Sequence, residues 1–124
     1  MARVLIVEDE AAILILAESV LQTAGYETVS AGTVAEAQAL INDGDQKIDL
    51  VFTDIGLGSH KEGGITVGQL VTKTRPATPV LYTSERPVTD GMKALFAERS
   101  AYLTKPYTVQ ELAQELGKLL PPNP

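Results

Sequence analysis

Short apolar runs alternate with amphipathic segments along the 124 residues of this chain. Five of these runs are rich in branched or aromatic residues, which favours strands. They are VLIV at 4–7, ETVSA at 27–31, LVFT at 50–53, PVLYT at 79–83 and AYLT at 101–104. Between and after these runs, apolar residues recur at helical spacing and predict five helices. The predicted helices cover 11–24, 34–43, 64–74, 88–98 and 109–120.

Residues at the ends of three predicted helices are typical of helix boundaries. Gly25 is expected to stop the first helix, because glycine readily adopts the left-handed conformation found at such ends. Thr33 with Glu36, and Thr108 with Glu111, match the capping-box pattern that begins a helix.

Five strand–helix repeats predict a three-layer α/β fold, in which a five-stranded parallel sheet has helices on both faces. The length fits one domain, which we expect to span residues 1–120 before a short Pro-rich tail at 121–124. Sites in such folds form beyond the carboxyl ends of the strands. The residues that follow the strands are therefore the first candidates for function.

Polar side chains with complementary chemistry lie at four of these strand ends. Glu8 and Asp9 follow the first strand, Asp54 the third and Lys105 the fifth, while Thr83 ends the fourth. Singly, each has an ordinary explanation as a helix-dipole partner, a turn former or a strand residue. Together they would supply a carboxylate nucleophile, oxygen ligands for Mg²⁺, an ammonium and a hydroxyl donor. This combination suits phosphoryl transfer, which depends mainly on positioning and charge neutralisation.

Composition narrows the possible functions. The balance of 44% hydrophobic and 21% charged residues is that of an ordinary globular protein. The net charge of −6 argues against binding nucleic acid, and the absence of cysteine excludes disulfides and thiol metal sites. No apolar stretch is long enough to span a bilayer, and the first residues lack a cleavage-site pattern, so we expect a cytoplasmic location and no membrane partner.

Four motifs resemble those of one protein family in both order and spacing. VLIVEDE, VFTDIGL, PVLYTSE and AYLTKPY are similar to the motifs of CheY-like response-regulator receiver domains, which act in two-component phosphorelay signalling. The resemblance covers nearly the whole chain. It implies a flavodoxin-like (βα)5 fold with strand order 2-1-3-4-5, and a single-domain response regulator.

The resemblance also implies roles for individual residues at the phosphorylation site. Asp54 would accept the phosphoryl group. Glu8, Asp9, Asp54 and the backbone carbonyl of Gly56 would hold Mg²⁺ or Mn²⁺. Lys105 would pair with Asp54 before phosphorylation and with the phosphoryl group afterwards.

A conformational switch is implied by two further residues. Thr83 would bond to a phosphoryl oxygen, and the ring of Tyr102 would then fill the space that Thr83 leaves. The loop over 84–90 and the helix after it would be the moving element. The alternative for Tyr102 is a half-buried strand tyrosine that packs on the core.

The partners implied by the resemblance are all proteins. A histidine kinase or histidine phosphotransfer protein would donate the phosphoryl group, and an unknown downstream target would read the face built from the fourth helix, fifth strand and fifth helix. Ile13 and Leu16 are candidates for the donor-binding surface, with burial against a neighbouring helix as the alternative. We expect a monomer or a phosphorylation-promoted dimer that turns over no separate substrate.

The segment after Asp54 departs from the family pattern. Gly58 stands where many receivers have proline, and Gly63 and Gly64 come late, which predicts a longer and more flexible loop. Gly56 has no side chain to steer an attacking water, whereas Glu85 could affect water access from the other side. His60 is interpreted as a solvated loop residue, since a lone histidine is a poor indicator of a metal site.

Three other interpretations stay open to different degrees. A pseudo-receiver would bind proteins without phosphorylation, but such proteins usually lack one of the residues named above. A Mg²⁺-dependent phosphatase of the haloacid-dehalogenase type usually has an acid where this chain has Gly56. A nucleotide-binding Rossmann unit is disfavoured, because no glycine fingerprint follows the first strand. Separately, the final PPNP could begin a linker to another domain.

Overall fold

Five strands alternate with five helices in the computed structural model, which describes residues 1–120. The predicted tail at 121–124 lies outside the described residues. The strands are β1 (Arg3–Val7), β2 (Glu27–Ala31), β3 (Leu50–Asp54), β4 (Val80–Ser84) and β5 (Ser100–Thr104). The helices are α1 (Ala11–Thr23), α2 (Val34–Asn42), α3 (Gly63–Thr74), α4 (Asp90–Lys93) and α5 (Val109–Leu119).

All the strands belong to one parallel sheet of order β2-β1-β3-β4-β5. The predicted fold class and strand order are therefore confirmed. The register places Val7 beside Thr53, and Asp54 beside Thr83. Because the strands are parallel, the residues that follow them gather at one edge of the sheet.

Each face of the sheet carries its own hydrophobic core, because alternate strand residues point to opposite faces. Leu5, Val7 and Val51 pack with residues of α2 and α3. Val4, Ile6 and Phe52 pack on the other face with residues of α1 and α5. Within residues 1–120, no helix is both long enough and apolar enough to span a bilayer.

The predicted end of α1 and the predicted start of α5 are confirmed. Gly25 has a φ of 95°, and the following amide, of Tyr26, donates to the carbonyl of Leu21 at 3.0 Å. This geometry satisfies carbonyls at the end of the helix. Thr108 and Glu111 form both bonds of the capping box.

The capping box predicted for α2 is only half correct. The Thr33 side chain accepts the Glu36 amide at 3.1 Å, as expected. The Glu36 carboxylate, however, accepts the amide of Gly32 at 2.8 Å and not that of Thr33. Glu36 thus bonds to the residue before the N-cap, two positions before the helix begins.

The prediction of a helix over 88–98 is wrong, since α4 covers only Asp90–Lys93. Thr89 caps its start by accepting the amide of Met92 at 3.1 Å. After Lys93 the chain tightens, and the Phe96 amide donates to the Lys93 carbonyl three residues back, at 3.1 Å. Val88, Met92 and Phe96 still pack against the core at helical spacing, whereas Leu95 is 46% exposed.

A buried tyrosine on β4 holds the segment that follows α4. The Tyr82 hydroxyl accepts the amide of Ala97 at 2.9 Å, so this amide cannot continue the helix. The Tyr82 ring stacks on Phe96, with centroids 4.0 Å apart. Gly68 on α3 makes room for the phenol, because a Cβ there would lie 2.0 Å from the Tyr82 hydroxyl.

Candidate functional site

The structure brings together the polar residues that follow the strands. Glu8 and Asp9 lie after β1, Asp54 ends β3, Thr83 lies near the end of β4 and Lys105 follows β5. Carboxylate oxygens of Glu8, Asp9 and Asp54 all lie within 4.8 Å of one another. Three carboxylates and one ammonium thus meet at one edge of the sheet, with an excess of negative charge.

Lys105 bridges two of these carboxylates. Its Nζ donates to Oε1 of Glu8 at 3.0 Å and to Oδ2 of Asp54 at 3.1 Å. The side chains of Lys105, Glu8 and Asp54 are 10%, 5% and 12% exposed. These ion pairs are therefore largely shielded from water. In such an environment, charge-assisted hydrogen bonds are stronger than at the surface.

Burial and ion pairing act in opposite directions on these groups. Burial raises the pKa of Glu8 and of Asp54, and the neighbouring Lys105 ammonium only partly offsets this. Burial alone would lower the pKa of Lys105, but its bonds to the two carboxylates raise the pKa above the usual value. The lysine therefore stays charged. Further positive charge beside the crowded carboxylates would favour their ionised form.

Asp9 is the exposed member of the cluster and is oriented by the loop after β3. Its Oδ2 accepts the amide of Gly58 at 2.9 Å. Leu57 and His60 close the tight turn around Gly58 with two bonds of 2.9 Å, and Gly58 has a φ of 58°. A proline at 58 would have neither this conformation nor an N–H to donate to Asp9. The departure from the family pattern thus has a structural role.

The start of α3 packs directly against the end of β3. The Gly64 amide donates to the Ile55 carbonyl at 2.8 Å. A Cβ on Gly64 would lie 2.1 Å from the backbone oxygen of Asp54. Only glycine permits this close approach, which fixes the backbone that carries Asp54.

Thr83 lies next to Asp54 in the sheet and is 3% exposed. Its hydroxyl is buried and has no hydrogen-bond partner within residues 1–120. Leaving a buried hydroxyl unpaired costs about 1–3 kcal/mol. An acceptor group that arrives on Asp54 would relieve this cost, which fits a phosphoryl group better than a purely structural role.

An open cavity of about 450 Å³ covers the acidic cluster. It is lined by Asp9, Glu10, Asp54, Gly56, Gly58, Lys61, Ser84, Glu85 and Arg86. Gly56 thus lies at the site and leaves one wall without a side chain, while metal binding by its carbonyl stays a prediction. Glu85 faces the cavity too, and its charge contributes to the raised pKa of Asp54.

The predicted switch aromatic lies outside this cavity. Tyr102 on β5 is 39% exposed, and its ring centroid is 6.2 Å from that of Phe96. The Nζ of Lys93 lies 5.2 Å from the Tyr102 ring centroid, within cation–π range. In this structure the ring is therefore at the surface and contacts α4.

The two apolar candidates on α1 border a second groove. Ile13 is half-buried and Leu16 is 65% exposed. Both line a cavity of about 400 Å³, together with Lys105 and Tyr107. This groove adjoins the acidic cluster through Lys105. His60 is exposed, as predicted.

Sequence reasoning missed two contributors to the site. The role of the Gly58 amide could have been suspected from the missing proline, but its partner Asp9 is 49 residues away. Arg86 at the cavity carries no signal in the sequence, since it is one polar residue in an exposed loop.

Comparison with known proteins decides the family. Residues 4–117 match the sequence model of the response regulator receiver domain. The chain belongs to this family. The resemblance predicted from the four motifs is thereby confirmed, and phosphorylation-dependent signalling in two-component systems is the general function of receiver domains.

Curated relatives of this receiver include transcriptional regulators. It is 36% identical over 111 residues to the uncharacterized transcriptional regulatory protein YrkP of Bacillus subtilis, covering 89% of this chain and 46% of YrkP. It is 30% identical over 119 residues to the alginate biosynthesis transcriptional regulatory protein AlgB of Pseudomonas putida, covering 95% of this chain and 26% of AlgB. The chain thus spans half or less of the length of these relatives.

Solved receiver structures share the fold closely. A response regulator receiver protein from Sinorhizobium medicae is 27% identical, with a TM-score of 0.85 and coverage of 95% of this chain and 93% of that one. The response regulator TrrA from Thermotoga maritima, solved in complex with Mg²⁺-BeF, is 28% identical, with a TM-score of 0.82 and coverage of 97% and 100%. The cluster of Glu8, Asp9 and Asp54 fits the Mg²⁺ site of receiver domains.

Proposed function

We propose that residues 1–120 form one signalling domain in which Asp54 accepts a phosphoryl group from a histidine kinase or a histidine phosphotransfer protein. The observation that carries this proposal is the position of Asp54 itself. It pairs with Lys105 at 3.1 Å within a cluster of three carboxylates, beside an unpaired threonine hydroxyl. A carboxylate held in this way is a suitable nucleophile for phosphoryl transfer.

Each residue of the cluster would have its own role in the phosphoryl transfer. An oxygen of Asp54 would bond to phosphorus as the bond from phosphorus to the donor histidine breaks. Lys105 and the Thr83 hydroxyl would then hold the phosphoryl oxygens. Mg²⁺ or Mn²⁺, held by Glu8, Asp9, Asp54 and the carbonyl of Gly56, would supply neutralising charge for the phosphoryl group. No turnover of a separate substrate is expected.

The signal would arise from movement of Thr83 toward the phosphoryl group. Thr83 lies one residue from Tyr82, whose ring stacks on Phe96, and Phe96 contacts Tyr102. A shift of β4 at this end would therefore alter the surface formed by α4, β5 and α5. Tyr102 would turn inward as Thr83 moves, which changes what a partner can bind.

Two surfaces are proposed for partners. The groove bordered by Ile13 and Leu16 would receive the phosphodonor protein, because it adjoins Lys105 and the acidic cluster. A downstream protein, not yet identified, would bind the face of α4, β5 and α5. The cytoplasmic location and the state as a monomer or a phosphorylation-promoted dimer remain predictions.

Intact-mass spectrometry tests this proposal directly. The protein is incubated with acetyl phosphate, with and without Mg²⁺, beside an Asp54→Asn variant. We expect one added phosphate on the wild type, only with Mg²⁺, and none on the variant. A wild-type chain that binds Mg²⁺ but gains no phosphate would instead support the pseudo-receiver alternative, and steady release of phosphate from small esters would support the phosphatase.

A further inference from the structure

The loops on the two sides of the cavity above Asp54 differ in whether they carry side chains that can cover Asp54. On the side of the loop after β3, two of the lining residues are Gly56 and Gly58, which have no side chains. The Asp54 side chain is 12% exposed, so it lies deep in the cavity. The side chains that could shield this carboxylate therefore come from Asp9 and Glu10, from Lys61, and from Glu85 and Arg86 in the loop after β4.

Arg86 in that loop reaches across the cavity. Its Nη2 donates to the backbone carbonyl of Lys61 at 3.1 Å. Arg86 follows β4, whereas Lys61 lies between β3 and α3, so this bond joins the two loops on either side of Asp54. Within residues 1–120, it is the only hydrogen bond between 55–62 and 85–89.

The backbone of Arg86 is fixed to the strand end beside the site. The Ser84 hydroxyl donates to the Arg86 carbonyl at 2.8 Å and accepts the Arg86 amide at 3.1 Å. Ser84 is buried, and its own carbonyl accepts the amide of Lys105 at 2.8 Å. The guanidinium therefore extends from an anchored base, which favours one position across the cavity.

We propose that Arg86 is a positioning residue that partly closes the mouth of this cavity and slows hydrolysis of the phosphoryl group on Asp54. The inference rests on the proposed function of Asp54. In hydrolysis, the oxygen of water bonds to phosphorus, and the bond from phosphorus to the Asp54 oxygen breaks. The electron pair of that bond returns to the carboxylate, while inorganic phosphate leaves and a proton passes to solvent.

Narrowing the cavity mouth should slow hydrolysis because water must enter from that side. Water must approach phosphorus opposite the breaking bond to Asp54, which is the side of the cavity mouth. The bond from Arg86 to the Lys61 carbonyl spans part of that side, and Gly56, which has no side chain, leaves the rest open. Releasing the bond between the two loops would widen the path for water without removing any group that holds the phosphoryl oxygens.

Two variants separate closure from simple charge. Arg86→Met and Lys61→Met each remove one positive charge from the same cavity mouth. Only Arg86→Met also removes the bond between the loops, because Lys61 contributes its backbone carbonyl. Each protein is phosphorylated with acetyl phosphate and Mg²⁺, freed of donor by desalting, and followed by mass spectrometry as the phosphate is lost.

We expect Arg86→Met to lose its phosphate about twofold to tenfold faster than the wild type, the range that one hydrogen bond contributes. Lys61→Met should keep the wild-type lifetime. The urea midpoint should stay near the wild-type value in both variants, because the bond is exposed. The Mg²⁺ affinity should change to the same extent in both, since each variant loses one positive charge. A structural role for Arg86 would instead lower the urea midpoint of Arg86→Met alone. If Arg86→Met proves unstable, Arg86→Ala serves in its place, because it also removes both the charge and the donor.

Two results would overturn the inference while leaving the proposed function intact. One is a wild-type lifetime in Arg86→Met. The other is equal acceleration in both variants, which would assign the effect to charge and not to closure. If the wild type gains no phosphate at all, the proposed function fails, and this inference fails with it.

Discussion

Replacing Lys105 by methionine should destabilise the fold strongly at neutral pH. The substitution keeps the length and the apolar stem of the side chain but removes the ammonium between Glu8 and Asp54. Two bonds of 3.0 and 3.1 Å are lost, and both carboxylates stay largely buried. Removing one member of a buried ion pair is costly because the remaining charge has no compensation.

The expected cost follows from these contacts. A hydrogen bond to a charged group contributes about 1.5–3 kcal/mol, so two such bonds set an upper range of about 3–6 kcal/mol. The cavity beside the cluster lets water and protons reach the carboxylates, which reduces the loss. We therefore expect the free energy of unfolding to fall by about 2–4 kcal/mol.

The cost should depend on pH in a defined direction. Burial already raises the pKa of Glu8 and Asp54 above their usual values of 4.5 and 3.8, and loss of the lysine raises them further. A carboxyl group whose pKa is higher in the folded state than in the unfolded state destabilises the fold as the pH rises above the unfolded value. The deficit of Lys105→Met should thus be small at acid pH and grow as the pH rises from the unfolded pKa values through the higher folded-state values of the two carboxyls.

Urea unfolding at 25 °C in the presence of a chelator measures this cost. Lys118→Met is the matched control, because Lys118 pairs with Glu115 at the same distance of 3.0 Å but is 68% exposed. An exposed pair of this kind should contribute less than about 1 kcal/mol. If Lys105→Met costs no more than Lys118→Met, or if its cost does not grow with pH, the electrostatic description of the cluster is wrong.

Two further substitutions test the packing that positions the site. Gly64→Ala should lower the free energy of unfolding by about 3 kcal/mol or more, because its Cβ would clash with the Asp54 backbone. Gly44→Ala is the control, since a Cβ there has open space around it. Equal urea midpoints for the two variants would contradict this. Tyr82→Phe should cost about 1–3 kcal/mol by leaving the buried Ala97 amide unpaired, and a wild-type midpoint would show that this bond does not hold the segment after α4.

The local pattern was enough to predict the strands and the fold class, whereas the strand order came from the family resemblance. Runs of apolar residues located all five strands, and the position of Asp54, Lys105 and the acidic pair after their strands predicted a shared site. The conformation of the chain after α4 could not be predicted, because the Ala97 amide donates to the Tyr82 hydroxyl, 15 residues away. Helical spacing of Met92 and Phe96 indicates which side faces the core but not whether the backbone remains helical.

Details of the site depend on contacts that are remote in sequence. The resemblance implies that Lys105 pairs with Asp54, but the second bond, to Glu8, becomes visible only when the strands are placed side by side. The bond from Gly58 to Asp9 and the reach of Arg86 to Lys61 also join separate loops. No local pattern marks such partners, since an exposed loop residue is compatible with many roles.

Chemical mapping of the acyl phosphate tests the central claim most directly. Phosphorylated protein is treated with borohydride, which reduces an aspartyl phosphate to the corresponding alcohol, and the peptides are then sequenced by mass spectrometry. We expect the mass change at residue 54 alone, and only in samples that received both phosphodonor and Mg²⁺. A modification at Glu8, Asp9 or another acid, with residue 54 unchanged, would contradict the account.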